Sequence, residues 1–233
     1  MMDNSFYYKY LKYKNKYLAL KNNIKQTGGA KNKNFIIHIS GPSGAGKTTL
    51  GNKLKDKFRN KIIVKDIDEL RLEFVNNEYG GYKNVWSNKN FKWNPEKYQK
   101  YIDNYVNKQN KPIIFVGLNY MGWWNKNLYY NMHSNYNFYI KLNDNEIFNQ
   151  KCSRFMNDVF VQNKDNIIKD IIKNEKDTIN NLKRGLQYEC GYNEIVKMNK
   201  KWNNDYKKQE YKFMSRDNIF KKVSNILENI ITS

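Results

Sequence analysis

Short apolar runs alternate with longer amphipathic segments from residue 35 onward. The runs are rich in β-branched and aromatic residues and predict buried strands, whereas the segments between them show the three- and four-residue spacing of helices. The predicted strands are residues 35–40, 61–67, 112–117, 137–142 and 210–214. This alternation predicts an α/β fold, a five-stranded parallel sheet with helices on both faces, because right-handed crossovers place a helix between successive strands.

The same pattern divides the chain into three parts. Residues 1–26 predict an amphipathic helix, residues 27–34 with their Gly28-Gly29 pair predict a flexible linker, and residues 35–233 hold the α/β domain. The apolar stripe of the first part is Phe6, Tyr10, Tyr13, Tyr17 and Leu20. This stripe suits docking on a partner, on an anionic membrane surface or on the chain's own domain, and the sequence leaves these possibilities open.

The charge balance is strongly basic. Forty-two Lys and Arg residues stand against 22 Asp and Glu, which gives a formal charge of +20. Such a surface attracts polyanions and favours nucleic acid as a partner. The alternative is a compositional bias, because Lys, Asn, Ile and Tyr are all frequent and the cationic residues are spread along the whole chain.

Cysteine use and hydropathy predict an intracellular protein, in a host cytoplasm or a virion if the chain is viral. Cys152 and Cys190 are far apart and lack C-x-x-C spacing, so we expect two reduced thiols rather than a disulfide or a metal pair. No stretch reaches 18 uncharged apolar residues, and the N-terminus lacks the apolar core of a signal peptide.

A phosphate-binding pattern follows the first predicted strand. The sequence GPSGAGKT at residues 41–48 matches the Walker A pattern G-x-x-x-x-G-K-[ST] and lies between a strand and a helix, the context that this motif requires. Glycines allow backbone N–H groups to converge on phosphates, Lys47 is expected to reach the β- and γ-phosphates, and Thr48 is expected to bind Mg²⁺. The predicted ATP-binding residues are Gly41, Ser43, Gly44, Ala45, Gly46, Lys47, Thr48 and Thr49.

Two carboxylates and an arginine follow the second predicted strand. Asp66 and Asp68 alternate at the strand end, where ligands of parallel sheets bind, and Arg71 lies one helical turn further on. A carboxylate in this place can orient an acceptor hydroxyl and take its proton, while Arg71 can hold an anionic group of the acceptor. The alternative is that Asp68 only caps the following helix.

The end of the third predicted strand carries no acid. Residues 115–119 lack the carboxylate that a motor ATPase or GTPase places there, so a hydrolysis-driven motor is disfavoured and Asp66, or water, is expected to supply the second metal contact. Asn119 is a candidate polar contact to the substrate; a packed loop is the alternative for this segment.

The loop motif together with Asp68-Glu69-Leu70-Arg71 resembles the polynucleotide kinase, zeta-toxin and chloramphenicol phosphotransferase group of P-loop kinases. The resemblance covers residues 35–155. It implies strand order 2-3-1-4-5, ATP with Mg²⁺ as cofactors, Asp68 as the base toward an acceptor hydroxyl and Arg71 as the acceptor contact. It also implies a lid after the fourth strand that brings a cation to the phosphoryl group.

The lid is expected within the long helical region of residues 143–205. Lys151 and Arg154 lie one turn apart near its start. Arg154 is the predicted catalytic lid arginine and Arg184 is the reserve, although each of these cations also suits an ordinary exposed surface.

An aromatic-rich insertion at residues 74–94 is expected on the acceptor side. Its aromatic residues alternate with lysines, a pattern that suits stacking on single-stranded nucleic acid or packing as a cover for the acceptor, and packing is favoured. The aromatic residues are Tyr79, Tyr82, Trp86, Phe91 and Trp93.

Residues 5–25 resemble the tyrosine- and lysine-rich leaders of proteins from giant DNA viruses of the mimivirus type. This resemblance implies an origin rather than a chemistry. The sequence thus predicts an ATP-dependent kinase that transfers the γ-phosphoryl group to a hydroxyl of a nucleotide, nucleoside, polynucleotide end or sugar-like molecule. The alternative is a non-catalytic or hydrolytic nucleotide-binding module that binds nucleic acid in a viral nucleoprotein assembly.

Overall fold

The computed structural model describes residues 35–121 and 128–232. The predicted N-terminal helix and the linker with its double glycine lie outside these residues. Within them the strands are β1 (Ile36–Ser40), β2 (Ile63–Asp66), β3 (Ile113–Val116), β4 (Tyr120–Met121), β5 (Leu128–Tyr129), β6 (Tyr136–Ile140) and β7 (Lys212–Met214). The α-helices are α1 (Lys47–Phe58), α2 (Ile67–Tyr79), α3 (Tyr82–Ser87), α4 (Pro95–Asn107), α5 (Asp144–Asn157), α6 (Lys164–Lys173), α7 (Glu175–Cys190), α8 (Tyr192–Lys208) and α9 (Arg216–Thr232).

Five strands form one parallel sheet in the order β2-β3-β1-β6-β7. Counted along the predicted strands this is 2-3-1-4-5, so the predicted parallel sheet and its expected order are confirmed. β4 and β5 form a separate antiparallel pair that was not predicted. The pair is two residues long in each strand, too short for an alternating pattern to be visible in the sequence.

The two faces of the sheet bury separate apolar clusters, and β3 shows how the sequence supplies both. Successive side chains of a strand point to opposite faces. Ile113 and Phe115 pack with the cluster around α2 and α4, whereas Ile114 and Val116 pack with the cluster around α1 and α9. All four residues are buried, and the helices therefore cover both faces as predicted.

The central strand β1 is buried along its whole length and contains a histidine. The Nε2 atom of His38 lies 3.0 Å from the Gly117 carbonyl oxygen, and its Nδ1 atom hydrogen-bonds the Tyr211 hydroxyl. Burial lowers the pKa of His38 from 6.5 to about 4. The imidazole is thus a neutral part of the core.

The buried neutral His38 makes the folded state sensitive to acid. The unfolded chain binds a proton at His38 below pH 6.5, and the folded chain binds one only near pH 4. The free energy of unfolding is therefore unaffected by His38 above pH 6.5 and decreases as the pH falls toward 4. At pH 5 the loss should be about 2 kcal/mol. Urea unfolding at pH 7 and pH 5 measures it, and His38→Gln should lose less stability over this interval. A parallel loss in both proteins would contradict the assignment.

The two cysteines form a disulfide. Cys152 in α5 and Cys190 at the end of α7 are bonded, with their Cα atoms 4.7 Å apart. The prediction of two reduced thiols is wrong. The chain turns back after α5 and brings α7 alongside it, and a separation of 38 residues in sequence carries no sign of this return.

None of the helices in the described part of the chain is both long and apolar enough to cross a membrane.

Candidate functional site

The loop between β1 and α1 is shaped by glycines that have little room for a side chain. Gly44 and Gly46 have φ angles of 83° and 75°, in the left-handed region that favours glycine. A Cβ atom on Gly44 would lie 3.0 Å from Cβ of Gln150, and one on Gly46 would lie 2.7 Å from Nη1 of Arg216. The backbone conformation therefore favours glycine at both positions; the Cβ of Gln150 also leaves little room at Gly44, whereas the guanidinium of Arg216 is the end of a flexible side chain that can move.

Lys47 is the first residue of α1, and the loop curls around its ammonium group. Its Nζ atom donates hydrogen bonds to the carbonyl oxygens of Gly41 at 3.0 Å and Pro42 at 2.8 Å. Burial lowers the pKa of Lys47 to about 8, and the nearby carboxylates of Asp68 and Asp66 partly oppose this effect. A partly desolvated cation at the start of a helix is well placed to pair with an anion.

Thr48 and Asp66 meet next to this cation. The Thr48 hydroxyl donates to Oδ2 of Asp66 at 3.1 Å, and Oδ1 of Asp66 accepts the backbone N–H of Asp68 at 2.9 Å. The N-cap of α2 is therefore Asp66, and the alternative in which Asp68 caps this helix is wrong. Burial raises the pKa of Asp66, partly against the hydrogen bonds it accepts.

The Thr48 and Asp66 oxygens suit a small hard cation. Adjacent ligands of an octahedral Mg²⁺ lie about 2.9 Å apart, close to the 3.1 Å between these two oxygens. Among the described residues, no group of three His, Cys, Asp or Glu side chains could hold a metal. Two protein oxygens completed by phosphate and water are the usual arrangement for Mg²⁺ with a nucleotide.

Asp68 and Arg71 form an ion pair at the same edge of the sheet. Nη1 of Arg71 lies 2.8 Å from Oδ1 of Asp68, and Nη2 donates to the Leu118 carbonyl oxygen at 3.3 Å. The Asp68 side chain is 75% exposed, whereas Arg71 is only 15% exposed. The arginine is thus anchored on the segment after β3 and holds a carboxylate that remains open to solvent.

Arg154 reaches the loop from α5. Its Nη2 atom donates to the Ser43 hydroxyl at 2.8 Å, across 111 residues of sequence. Lys151, one turn earlier, points elsewhere: its side chain is 3% exposed and its Nζ atom lies 3.3 Å from Glu189. Of the two neighbouring cations, the structure brings only Arg154 to the loop, while the reserve Arg184 lies exposed on α7.

Asn119 is buried behind this edge. Its amide nitrogen donates to the Tyr130 carbonyl oxygen at 2.7 Å, and its carbonyl oxygen accepts from the Tyr206 hydroxyl at 2.9 Å. Both ends of the side chain are engaged inside the protein. Its role as a substrate contact stays a prediction, and the packed-loop alternative describes its present contacts.

The aromatic insertion divides into two parts. Tyr79 makes ring contacts with Phe91 and Trp93, and both Tyr79 and Trp93 also contact Phe74, as packing predicts. Trp86 differs, since it is 59% exposed and stacks on Tyr82 with an interplanar angle of 25°. Four residues of the insertion are buried in the core, whereas most of the others, including Trp86 on α3, are exposed.

Two residues near the loop were missed by the sequence reasoning. Arg216, the first residue of α9, places its guanidinium against Gly46, and Gln150 of α5 packs against Gly44. Arg216 directly follows the carboxyl end of the fifth sheet strand, so the rule that ligands bind at strand ends gives a signal for it. No sequence pattern distinguishes Gln150.

Comparison with known proteins assigns no family to the chain. No protein-family model matches the chain, and no curated protein matches its sequence. A function for this edge of the sheet therefore has to be argued from its own residues and distances.

Proposed function

We propose that the chain is a P-loop kinase that binds ATP with Mg²⁺ and transfers the γ-phosphoryl group to an acceptor hydroxyl. One observation carries the proposal: cationic, carboxylate and hydroxyl side chains come together at the carboxyl edge of the sheet, around a glycine-rich loop at a helix N-terminus. The groups are the ammonium of Lys47, the oxygen pair of Thr48 and Asp66, the open carboxylate of Asp68, and the guanidinium of Arg154.

The roles follow from the contacts. The backbone N–H groups of residues 43–49 and the start of α1 would hold the phosphates, and Lys47 would exchange its two loop carbonyls for phosphate oxygens. Thr48 and Asp66 would hold Mg²⁺, which neutralises phosphate charge when bound. Arg154 already lies at Ser43 in the loop, so it would pair with the γ-phosphate of bound ATP and with the charge that develops on this group during transfer.

Asp68 would act on the acceptor. Its carboxylate takes the proton of the acceptor hydroxyl as that oxygen bonds to the γ-phosphorus, and the bond from phosphorus to the β–γ bridging oxygen breaks to release ADP. Arg71, which pairs with Asp68 and is anchored on Leu118, would hold the carboxylate in place beside the acceptor. The acceptor class remains the predicted one: a nucleotide, nucleoside, polynucleotide end or sugar-like molecule.

The direct test is transfer of label from γ-labelled ATP. The full chain is incubated with Mg²⁺ and a panel of 5′-hydroxyl oligonucleotides, nucleosides, nucleotides and sugars. We expect label on one class, and none when Mg²⁺ is chelated. Tight ATP binding without labelling of any class would favour the nucleotide-binding module, whose interaction with nucleic acid the charge of +20 would support.

A further inference from the structure

The region after α5 has little core of its own. A π-helical turn (Asp158–Gln162) and α7 pack on α5, and α6 packs on both the turn and α7; we call residues 158–190 the outer hairpin. No residue in these three elements is fully buried. Val161 and Ile172 are 70% and 81% exposed. A segment with so few buried apolar contacts has little stability of its own and depends on whatever ties it to the domain.

A disulfide and an ion pair join the outer hairpin to α5 near the end of α7. Cys152 is bonded to Cys190, and one residue earlier on each helix Lys151 pairs with Glu189 at 3.3 Å. The disulfide is the strongest of these ties, since such a bond stabilises by about 2–4 kcal/mol and an ion pair contributes much less once its desolvation is counted.

The helix that carries Cys152 also touches the loop on both sides of this residue. Gln150 packs against Gly44, and Arg154 donates to Ser43. Cys152 lies between these two residues in sequence. The position of α5 therefore links the disulfide to the candidate phosphate site.

We propose that the Cys152–Cys190 disulfide is a redox switch that holds the outer hairpin on α5 and thereby sets Arg154 at the loop. The coupling to Arg154 rests on the proposed function, whereas the ordering of the hairpin does not. Both cysteines are partly exposed, so a small dithiol can reach them. A thiolate of the dithiol attacks one sulfur and forms a mixed disulfide. Its second thiolate then displaces the protein sulfur, which leaves two protein thiols and one oxidised dithiol.

Hydrogen exchange measured by mass spectrometry tests the ordering of the hairpin in the full chain. After reduction with dithiothreitol, amide protection across residues 158–190 should fall by about a hundredfold, while β1 and β3 keep theirs. The Cys152→Ser/Cys190→Ser double variant should show the exchange pattern of the reduced wild type and should not respond to dithiothreitol. Reoxidation of the wild type should restore protection. Equal protection of the hairpin in the oxidised and reduced wild type would overturn the switch.

Affinity for a non-hydrolysable ATP analogue with Mg²⁺ tests the coupling. Reduction should weaken binding about tenfold, the worth of one hydrogen bond to a charged group, and Arg154→Ala should bind weakly in both redox states. If reduction changes the hydrogen exchange of the outer hairpin but leaves the affinity for the ATP analogue unchanged, the coupling of the disulfide to Arg154 is overturned. Absence of binding in both states would refute the proposed function instead, and the exchange result would still decide the ordering.

Discussion

Lys47→Met should lower the affinity for ATP·Mg²⁺ by about a hundredfold, because the variant leaves the phosphates without the ammonium that the loop now surrounds. Phosphoryl transfer should fall further, since the same charge would stabilise the transferred group. The fold should survive, because burial lowers the pKa of Lys47 from 10.5 to about 8, so the charged lysine costs stability as the pH falls below 10.5 and in full below about 8. Calorimetric titration with an ATP analogue measures the loss. Lys55→Met, on an exposed side of the same helix, is the matched control and should bind normally.

The pH dependence of binding gives this prediction a sharper form. Lys47 in the free protein loses its proton near pH 8, so the affinity of the wild type for ATP should decline as the pH rises above about 8. Lys47→Arg should bind more weakly but show no such decline, because a guanidinium stays charged over this range. A decline of the same size in Lys47→Arg would show that another group is responsible.

Asp68→Asn should abolish most transfer while ATP binding persists. Removing a general base typically costs about 10²–10⁴-fold in rate, and the amide keeps the size of the carboxylate. Single-turnover transfer to the labelled acceptor, together with analogue titration, separates the two effects. The carboxylate of Asp68 also raises the pKa of Lys47, so the variant should move the pH decline of affinity to lower pH.

Glu69→Gln is the matched control for this variant. Glu69 is the next residue on α2, is exposed, and lies 3.6 Å from Lys65. Glu69→Gln should leave unchanged both the rate of phosphoryl transfer and the decline of ATP affinity at high pH. Equal transfer by Asp68→Asn and Glu69→Gln would remove Asp68 from the mechanism and show that another group takes the proton.

The strands of the main sheet could be predicted because each is marked by its own residues. β3 is a four-residue apolar run and is buried on both faces, so its burial requires no knowledge of its partners. The conformation of the loop could be predicted for the same local reason, since Gly44 and Gly46 belong to a fixed motif and have positive φ angles. The pairing of β4 with β5 was missed because two residues per strand make no pattern.

The candidate site was predictable in part for the same reason. Thr48 and Asp66 each lie at a strand end or helix start that the sequence marks, and parallel strands bring such ends to one edge. The direction in which a side chain points from a later helix could not be predicted in this way. Lys151 and Arg154 look alike in sequence, yet one is buried against Glu189 and the other donates to Ser43.

The sequence by itself determined the α/β class, the main strands and the glycine loop, because periodicity and backbone preference act over a few residues. Only the tertiary structure decided that Cys152 is bonded to Cys190, that Arg216 lies against Gly46, and that Asp66 rather than Asp68 caps α2. The first two contacts join residues far apart in the chain and are set by how the helices pack, which no local pattern records. The third depends on where β2 ends, because Asp66 keeps the extended backbone of an N-cap and α2 begins one residue later.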